Sequence, residues 1–145
     1  MCDKWGLTVR GICEYEGKIL LLKVHSESRH DAGKWEIPGG KVKRNEFFDD
    51  ALKREYLEET ALEINIESLF NVVENTYIAC KSNEKINSVQ LIMKVSASSG
   101  EVQISPEHDE YKWFTRAEIK ELILNNLLTP PAIDSFKKTI FECEL

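Results

Sequence analysis

Three glutamates, Glu55, Glu58 and Glu59, fall in a window that also reads as an amphipathic helix. At about 100° per residue, positions i, i+3 and i+4 share one helix face. The apolar residues Phe48, Ala51, Leu52 and Leu62 fall on the same arc, whereas Asp50, Lys53, Arg54 and Thr60 fall on the other side. The carboxylates are therefore expected toward the side that the helix buries. Like charges gathered there repel and are costly to strip of water. A divalent cation is the simplest partner that would compensate them. Upstream stand Gly39 and Gly40, which give the backbone unusual freedom, and a fourth carboxylate, Glu46.

The elements that must position these residues follow from periodicity and punctuation. Residues 7–24 read as a β-hairpin turning at Glu16-Gly17, and Ile19-Leu20-Leu21-Leu22 is a run suited to a strand buried on both faces. A polar loop, 25–33, leads to a short extended piece, Trp35-Glu36-Ile37, and then to a turn at Pro38-Gly39-Gly40. Asn45 is the expected N-cap of the glutamate-bearing helix, with Asp49 and Asp50 near its positive end and its close near residue 60. Strands are expected at 64–66, 70–79, 86–95 and 111–114, with 81–84 linking the second and third and a small-polar loop at 96–100. Thr115 should cap a helix to about residue 122, and Pro130-Pro131 should open another with Ile133, Phe136 and Ile140 on its buried stripe. The pattern predicts one α/β domain over residues 1–145, a mixed sheet with helices on both faces.

Composition excludes several classes. The chain has 145 residues, is 42% hydrophobic and carries a net charge of −6 from 25 acidic and 19 basic residues. That balance argues against binding a nucleic-acid polymer, which wants a basic surface. Cys2, Cys13, Cys80 and Cys143 show no metal-ligand spacing and read as free thiols of a reducing compartment. The N-terminus lacks the apolar core of a signal peptide, and no apolar run reaches membrane-spanning length, so a cytoplasmic location is expected. His25, His30 and His108 read as surface loop residues, and Trp35 and Trp113 as core.

Gly40, Glu46, Arg54-Glu55 and Glu58-Glu59, at these intervals, resemble the Nudix box, and Trp35-Glu36-Ile37-Pro38-Gly39-Gly40-Lys41 resembles the segment that leads into it in MutT-like members. The resemblance implies the Nudix fold and a Mg2+-dependent hydrolase, with Mn2+ as a substitute, that splits a pyrophosphate bond in a nucleoside diphosphate derivative. It implies Glu58 and Glu59 as metal ligands, Glu55 as ligand or helper to the base, the Gly39 carbonyl completing the shell, and Glu46 holding a further ion. Arg54 would clamp a neighbouring glutamate in bidentate fashion. Glu110, with Glu107 as competitor, lies where MutT-like members add a loop carboxylate, and the general base is expected from Glu55 or Glu110. Arg10, Arg29 and Lys41 are candidate phosphate contacts, Lys41 most strongly; Arg10 and Arg29 read first as solvated charge. Two positions depart from the family pattern. Ala61 stands where Gly usually ends the helix, so a different exit is expected. Tyr56 replaces an aliphatic residue at the edge of the apolar arc.

For substrate, the MutT-like segment favours nucleoside triphosphates, oxidised ones included, giving a monophosphate and pyrophosphate. MutT-like members read the base with an Asn soon after Pro-Pro-Ala; here Pro130-Pro131-Ala132 is followed by Ile133, which offers a base edge no hydrogen bond, and Asn125 and Asn126 lie upstream. ADP-ribose or another nucleoside-diphosphate sugar is the alternative. A catalytically silent nucleotide-binding module is the alternative of another class, and the intact Glu-x-x-Glu-Glu core weighs against it. The partner is a small nucleotide, and the chain is expected as a monomer or homodimer.

Overall fold

Residues 4–79 and 81–137 are described in a computed structural model of the protein. Cys2, Cys80, Cys143 and Ile140 therefore lie outside the described residues. Strands β1 (Lys4–Tyr15) and β2 (Lys18–Val24) form the expected hairpin, turning through Glu16 and Gly17, both at positive φ (51° and 78°). Then come β3 (Trp35–Glu36), β4 (Gly39–Lys41), α1 (Phe48–Thr60), β5 (Ile64–Ile78), β6 (Lys85–Ala97), β7 (His108–Phe114), α2 (Arg116–Leu124) and α3 (Pro130–Phe136).

The strands make one mixed sheet in the order β3-β2-β1-β6-β5, with β4 added to β1 and β7 to β2. β1 is the hub. It runs parallel to β6 from Lys4 to Cys13, antiparallel to β4 at residues 8–10, and antiparallel to β2 at its end. The apolar run of β2 is buried on both faces, as expected. Leu20 and Leu22 join Val9, Ala51, Leu52 and Tyr56 under α1, while Ile19 and Leu21 join Ile119, Leu128 and Phe136 under α2 and α3.

Several expectations are corrected. Asn45 does not cap α1. Phe47 is the N-cap, without a side-chain hydrogen bond, and Asn45 sits at φ 66° in a turn closed by the Glu46 N–H to the Lys43 carbonyl at 3.1 Å. A left-handed turn position tolerates Asn, and that demand outweighs capping here. Gly39 and Gly40 belong to a short strand on β1 rather than to a free turn. The two strands expected at 64–66 and 70–79 are one, β5, which follows β6 throughout and absorbs the polar break as irregularities near Ser68 and Asn71.

Thr60, expected on the exposed side, is fully buried where the chain folds back over the helix end. Its hydroxyl donates to the Tyr56 carbonyl at 2.6 Å and accepts from the Leu62 N–H at 3.1 Å. Phe48, expected on the buried arc, is 39% exposed. Ala61 does not leave the helix differently: it adopts the left-handed conformation (φ 61°, ψ 13°), its N–H returning to the Leu57 carbonyl. α2 has a full capping box: Thr115 Oγ1 accepts from the Glu118 N–H, and the Glu118 carboxylate accepts from the Thr115 N–H. Lys112 Nζ, 2.8 Å from Glu118, and the Thr115 groups hold that carboxyl down at about 2.

Two outcomes follow. Ala61→Gly removes a Cβ penalty larger than the entropy that glycine adds to the unfolded chain, so thermal unfolding should show a gain of about 1 kcal/mol. The Glu118 pKa is depressed on folding, so its contribution is fully present above its unfolded pKa of about 4.3 and lost as pH falls toward the folded value. Wild type should therefore exceed Glu118→Gln in melting temperature at neutral pH, with the gap closing between about pH 4.3 and 2.

Candidate active site

The site is built where α1 lies against β4. Gly39 sits at φ 153°, and a Cβ there would fall 2.2 Å from the Val9 carbonyl oxygen and 2.6 Å from Arg10 Cα. A Cβ on Gly40 would fall 2.4 Å from Glu55 Cδ. Gly39 thus lets β4 lie close on β1, and Gly40 leaves room for a carboxylate of α1 to reach the strand. Gly39 donates its N–H to Glu59 Oε1 at 2.9 Å, and the Glu55 carboxyl lies directly on Gly40.

Arg54 gathers the remaining acids. Its Nε and Nη2 donate to the two Glu46 oxygens at 2.8 and 3.0 Å, and its Nη1 to Glu55 Oε1 at 2.9 Å and Glu58 Oε2 at 3.4 Å. Nη2 also reaches the Lys41 carbonyl at 3.2 Å. A fork shared among three carboxylates fixes their relative positions in a way that isolated surface pairs do not. The Arg54 hydrogen bonds, with the Lys43 N–H, hold the Glu46 carboxyl down at about 2, and Glu46 and Glu55 in turn raise the Arg54 pKa.

Glu59 is in a different state. It is 4% exposed, and burial pushes its pKa up to about 8, against the opposing pull of His108, Arg10 and the Gly39 N–H. Beside it His108 Nε2 lies 3.1 Å from Glu36 Oε1 and 3.5 Å from Glu59 Oε2. Burial disfavours charge on both Glu36 and His108. Their mutual hydrogen bond, with Arg10 for the acid and the acids for the imidazole, outweighs it, lowering the Glu36 pKa and raising that of His108. The Glu36, Glu59 and His108 donor atoms all lie within 4.8 Å of one another. A buried carboxylate short of positive charge, next to Glu55 and with further oxygens at hand, is a donor set that fits a hard divalent cation.

The cleft is lined by Gly39, Gly40, Lys41, Glu55, Glu59 and Glu107, among others. It adjoins a second cavity, which shares Val24, Ser28, Glu36, Gly40 and Lys41 and adds Thr8, Arg10, Asn75, Tyr77 and Gln90, among others. Lys41 Nζ stands 5.0 Å above the Tyr77 ring. The structure therefore brings together Gly39, Lys41, Glu46, Arg54, Glu55 and Glu59, with Glu58 at the rim, its side chain 58% exposed. It does not bring Glu110 to the cleft lining. On β7 that residue pairs with Lys23, 3.9 Å away, and Glu107 occupies the cleft instead. Arg29 lies in the exposed 25–34 loop. Ile133 packs against the core beneath α3, and Asn125 and Asn126 are exposed at the end of α2.

Two residues differ from their sequence-based reading. His108 is buried rather than in a surface loop, because β7 starts at that residue and pairs it with Val24. Arg10, read as solvated, is half-buried: its Nε donates to Gln90 and its Nη1 to the Ile37 carbonyl, both at 2.8 Å. The polar positions Thr8, Arg10, Ser88 and Gln90 alternate with apolar ones on β1 and β6; that alternation was the available signal.

A glycine-lined strand facing stacked carboxylates between two helical layers is the framework of a metal-assisted hydrolase. The NUDIX domain model matches residues 6–136, and the chain belongs to that family as a MutT-like Nudix pyrophosphohydrolase. It is similar to a MutT-like protein of Streptomyces ambofaciens, 28% identical over 79% of this chain and 67% of that protein. It is equally similar to the nucleoside triphosphatase NudI of an Enterobacter species, 28% identical over 79% of this chain and 84% of that protein. Among solved structures, the MutT protein of Methanosarcina mazei superposes with a TM-score of 0.78 at 25% identity, covering 99% of this chain and 98% of that one.

The packing of Glu55 on Gly40 is directly testable. Gly40→Ala should displace the carboxylate and lower turnover by about 100-fold, with the circular dichroism of the fold retained.

Proposed function

We propose that the protein hydrolyses a pyrophosphate bond in a nucleoside diphosphate derivative with Mg2+, and that its substrates are nucleoside triphosphates cut to a monophosphate and pyrophosphate. The observation that carries the reading is the pair of carboxylates, Glu55 and Glu59, set against Gly39-Gly40 in a cleft that adjoins a second cavity lined by Thr8, Arg10, Asn75, Tyr77 and Gln90. The similarity to NudI, a nucleoside triphosphatase, supports the same choice.

In this reading Glu55, Glu58, Glu59 and the Gly39 carbonyl hold the metal. When bound, Mg2+ would neutralise phosphate charge and favour attack by water; Mn2+ would substitute for it. Both Glu46 oxygens are engaged by Arg54, so Glu46 serves to fix the guanidinium, and Arg54 to fix Glu55 and Glu58. Lys41 lines both cavities and in this reading would meet a phosphate between them. Glu55 and Glu107 line the cleft and are the candidates for the general base; Glu110, the alternative to Glu55 from sequence, faces Lys23. Ile133, on α3, packs its partly buried side chain against the core, and this reading assigns base recognition to the second cavity. Among the described residues no helix is long and apolar enough to cross a membrane. The buried free thiol of Cys13, pushed up to about 11 by burial, is consistent with a cytoplasmic location.

A panel of ordinary and oxidised nucleoside triphosphates, ADP-ribose and nucleoside-diphosphate sugars, assayed for pyrophosphate and phosphate release, tests the reading. Pyrophosphate should be released from triphosphates, turnover should stop on chelation, and Glu59→Gln should lose about 100-fold or more. Preferential cleavage of ADP-ribose would move the substrate to the alternative class. Tight binding without cleavage of any compound would indicate a silent nucleotide-binding module.

A further inference from the structure

We infer that His108 is a positioning residue for the reaction, its Nε2 tying Glu59 of α1 to Glu36 of β3 and so setting the direction in which the Glu59 carboxylate meets the cleft. The inference rests on the reading of Glu59 as a metal ligand. Glu59 is fixed at one oxygen, Oε1, by the Gly39 N–H. The other, Oε2, has His108 Nε2 at 3.5 Å, and the same nitrogen is hydrogen-bonded to Glu36 at 3.1 Å. Without that nitrogen, two largely buried carboxylates would face each other across a few ångströms. Buried carboxyl groups left without a donor between them turn toward other partners or draw in water, and either response would rotate Glu59.

The bridge is itself anchored. The same Glu36 oxygen, Oε1, has Arg10 Nη1 at 3.7 Å, and Arg10 is held by Gln90 and the Ile37 carbonyl. A continuous polar chain therefore runs from Gln90 in the floor of the second cavity through Arg10, Glu36 and His108 to Glu59. His108 Nδ1 is buried with no hydrogen-bond partner among the described residues, so the polar engagement of the ring lies at the nitrogen facing the acids. A histidine kept for packing alone would be replaced by an apolar residue at no cost to function. One kept to orient a metal ligand would not.

Three variants separate these roles. His108→Leu removes the donor, His108→Asn keeps polarity but is too short to place a donor at the Nε2 position, and His108→Gln can place its amide N–H there. Two readouts apply to each folded protein: kcat and KM on the best substrate of the wild type, and Mn2+ titration by electron paramagnetic resonance without substrate. Leu and Asn variants should lose about 10-fold or more in kcat and in Mn2+ affinity. KM for the nucleotide should stay near that of wild type, and His108→Gln should recover most of both losses. If the Leu variant fails to fold, the Asn and Gln variants carry the comparison. Unchanged kcat and Mn2+ affinity in the Asn variant would overturn the inference, as would a Gln variant no better than Asn. The Mn2+ titration stands apart from the choice of substrate: a wild type that cleaves nothing in the panel yet binds Mn2+ in a His108-dependent way refutes the proposed activity and sustains this inference.

Discussion

The close approach of α1 to the β1–β4 ladder is the constraint on which the site depends. A helix normally stands off a sheet by the thickness of two side-chain layers. Here the bare Gly40 removes one layer and the Glu55 carboxyl takes its place, while Gly39, closely backed by β1, offers its N–H to Glu59. Tyr56, fully buried on the same helix, donates its hydroxyl to the Gly11 carbonyl and lies against the bare Cα of Gly11. The helix is thus held near three glycine backbones of adjacent strands, by an aromatic anchor at one point and by acids at two others.

That approach creates an electrostatic problem, and the protein divides it. At the solvent side Arg54 binds Glu46, Glu55 and Glu58, so these acids are compensated by a fixed cation within the fold. At the inner side Glu59 receives a backbone N–H and the edge of an imidazole, and burial still favours its neutral form. The uncompensated end of the cluster is where positive charge from outside the chain is best accommodated. Stability and function meet in this arrangement. The residues that fix Arg54 make the acids tolerable, and the incomplete compensation of Glu59 leaves a place for a metal.

Much of this was legible along the chain. The hairpin, the doubly buried β2, the end of α1 near residue 60, the Thr115 cap and the sheet between helical layers follow from local periodicity and punctuation, which short-range sterics enforce. The glutamate spacing is helical geometry and needed no tertiary information. Other features were illegible for definite reasons. Asn45 has the chemistry of a cap and of a left-handed turn, and only the closure of that turn decides between them. Ala61 takes a conformation its side chain disfavours because the chain must fold back over Thr60. Glu110 and Glu107 are indistinguishable by type, and the register of β7 against β2 chooses between them.

By itself the sequence determined which acids share a helix face and which glycines precede them, consequences of spacing within one segment, and the order of elements along the whole chain determined the α/β class. Tertiary structure alone decided the state of each group. It buried Glu59 and exposed Glu58, made Arg54 a hub, and set Arg10 between Gln90 and Glu36. It also brought His108, a residue with no distinguishing neighbours in sequence, against a carboxylate of a distant helix. Burial and charge pairing depend on what the rest of the chain packs around a residue, and no local pattern encodes that.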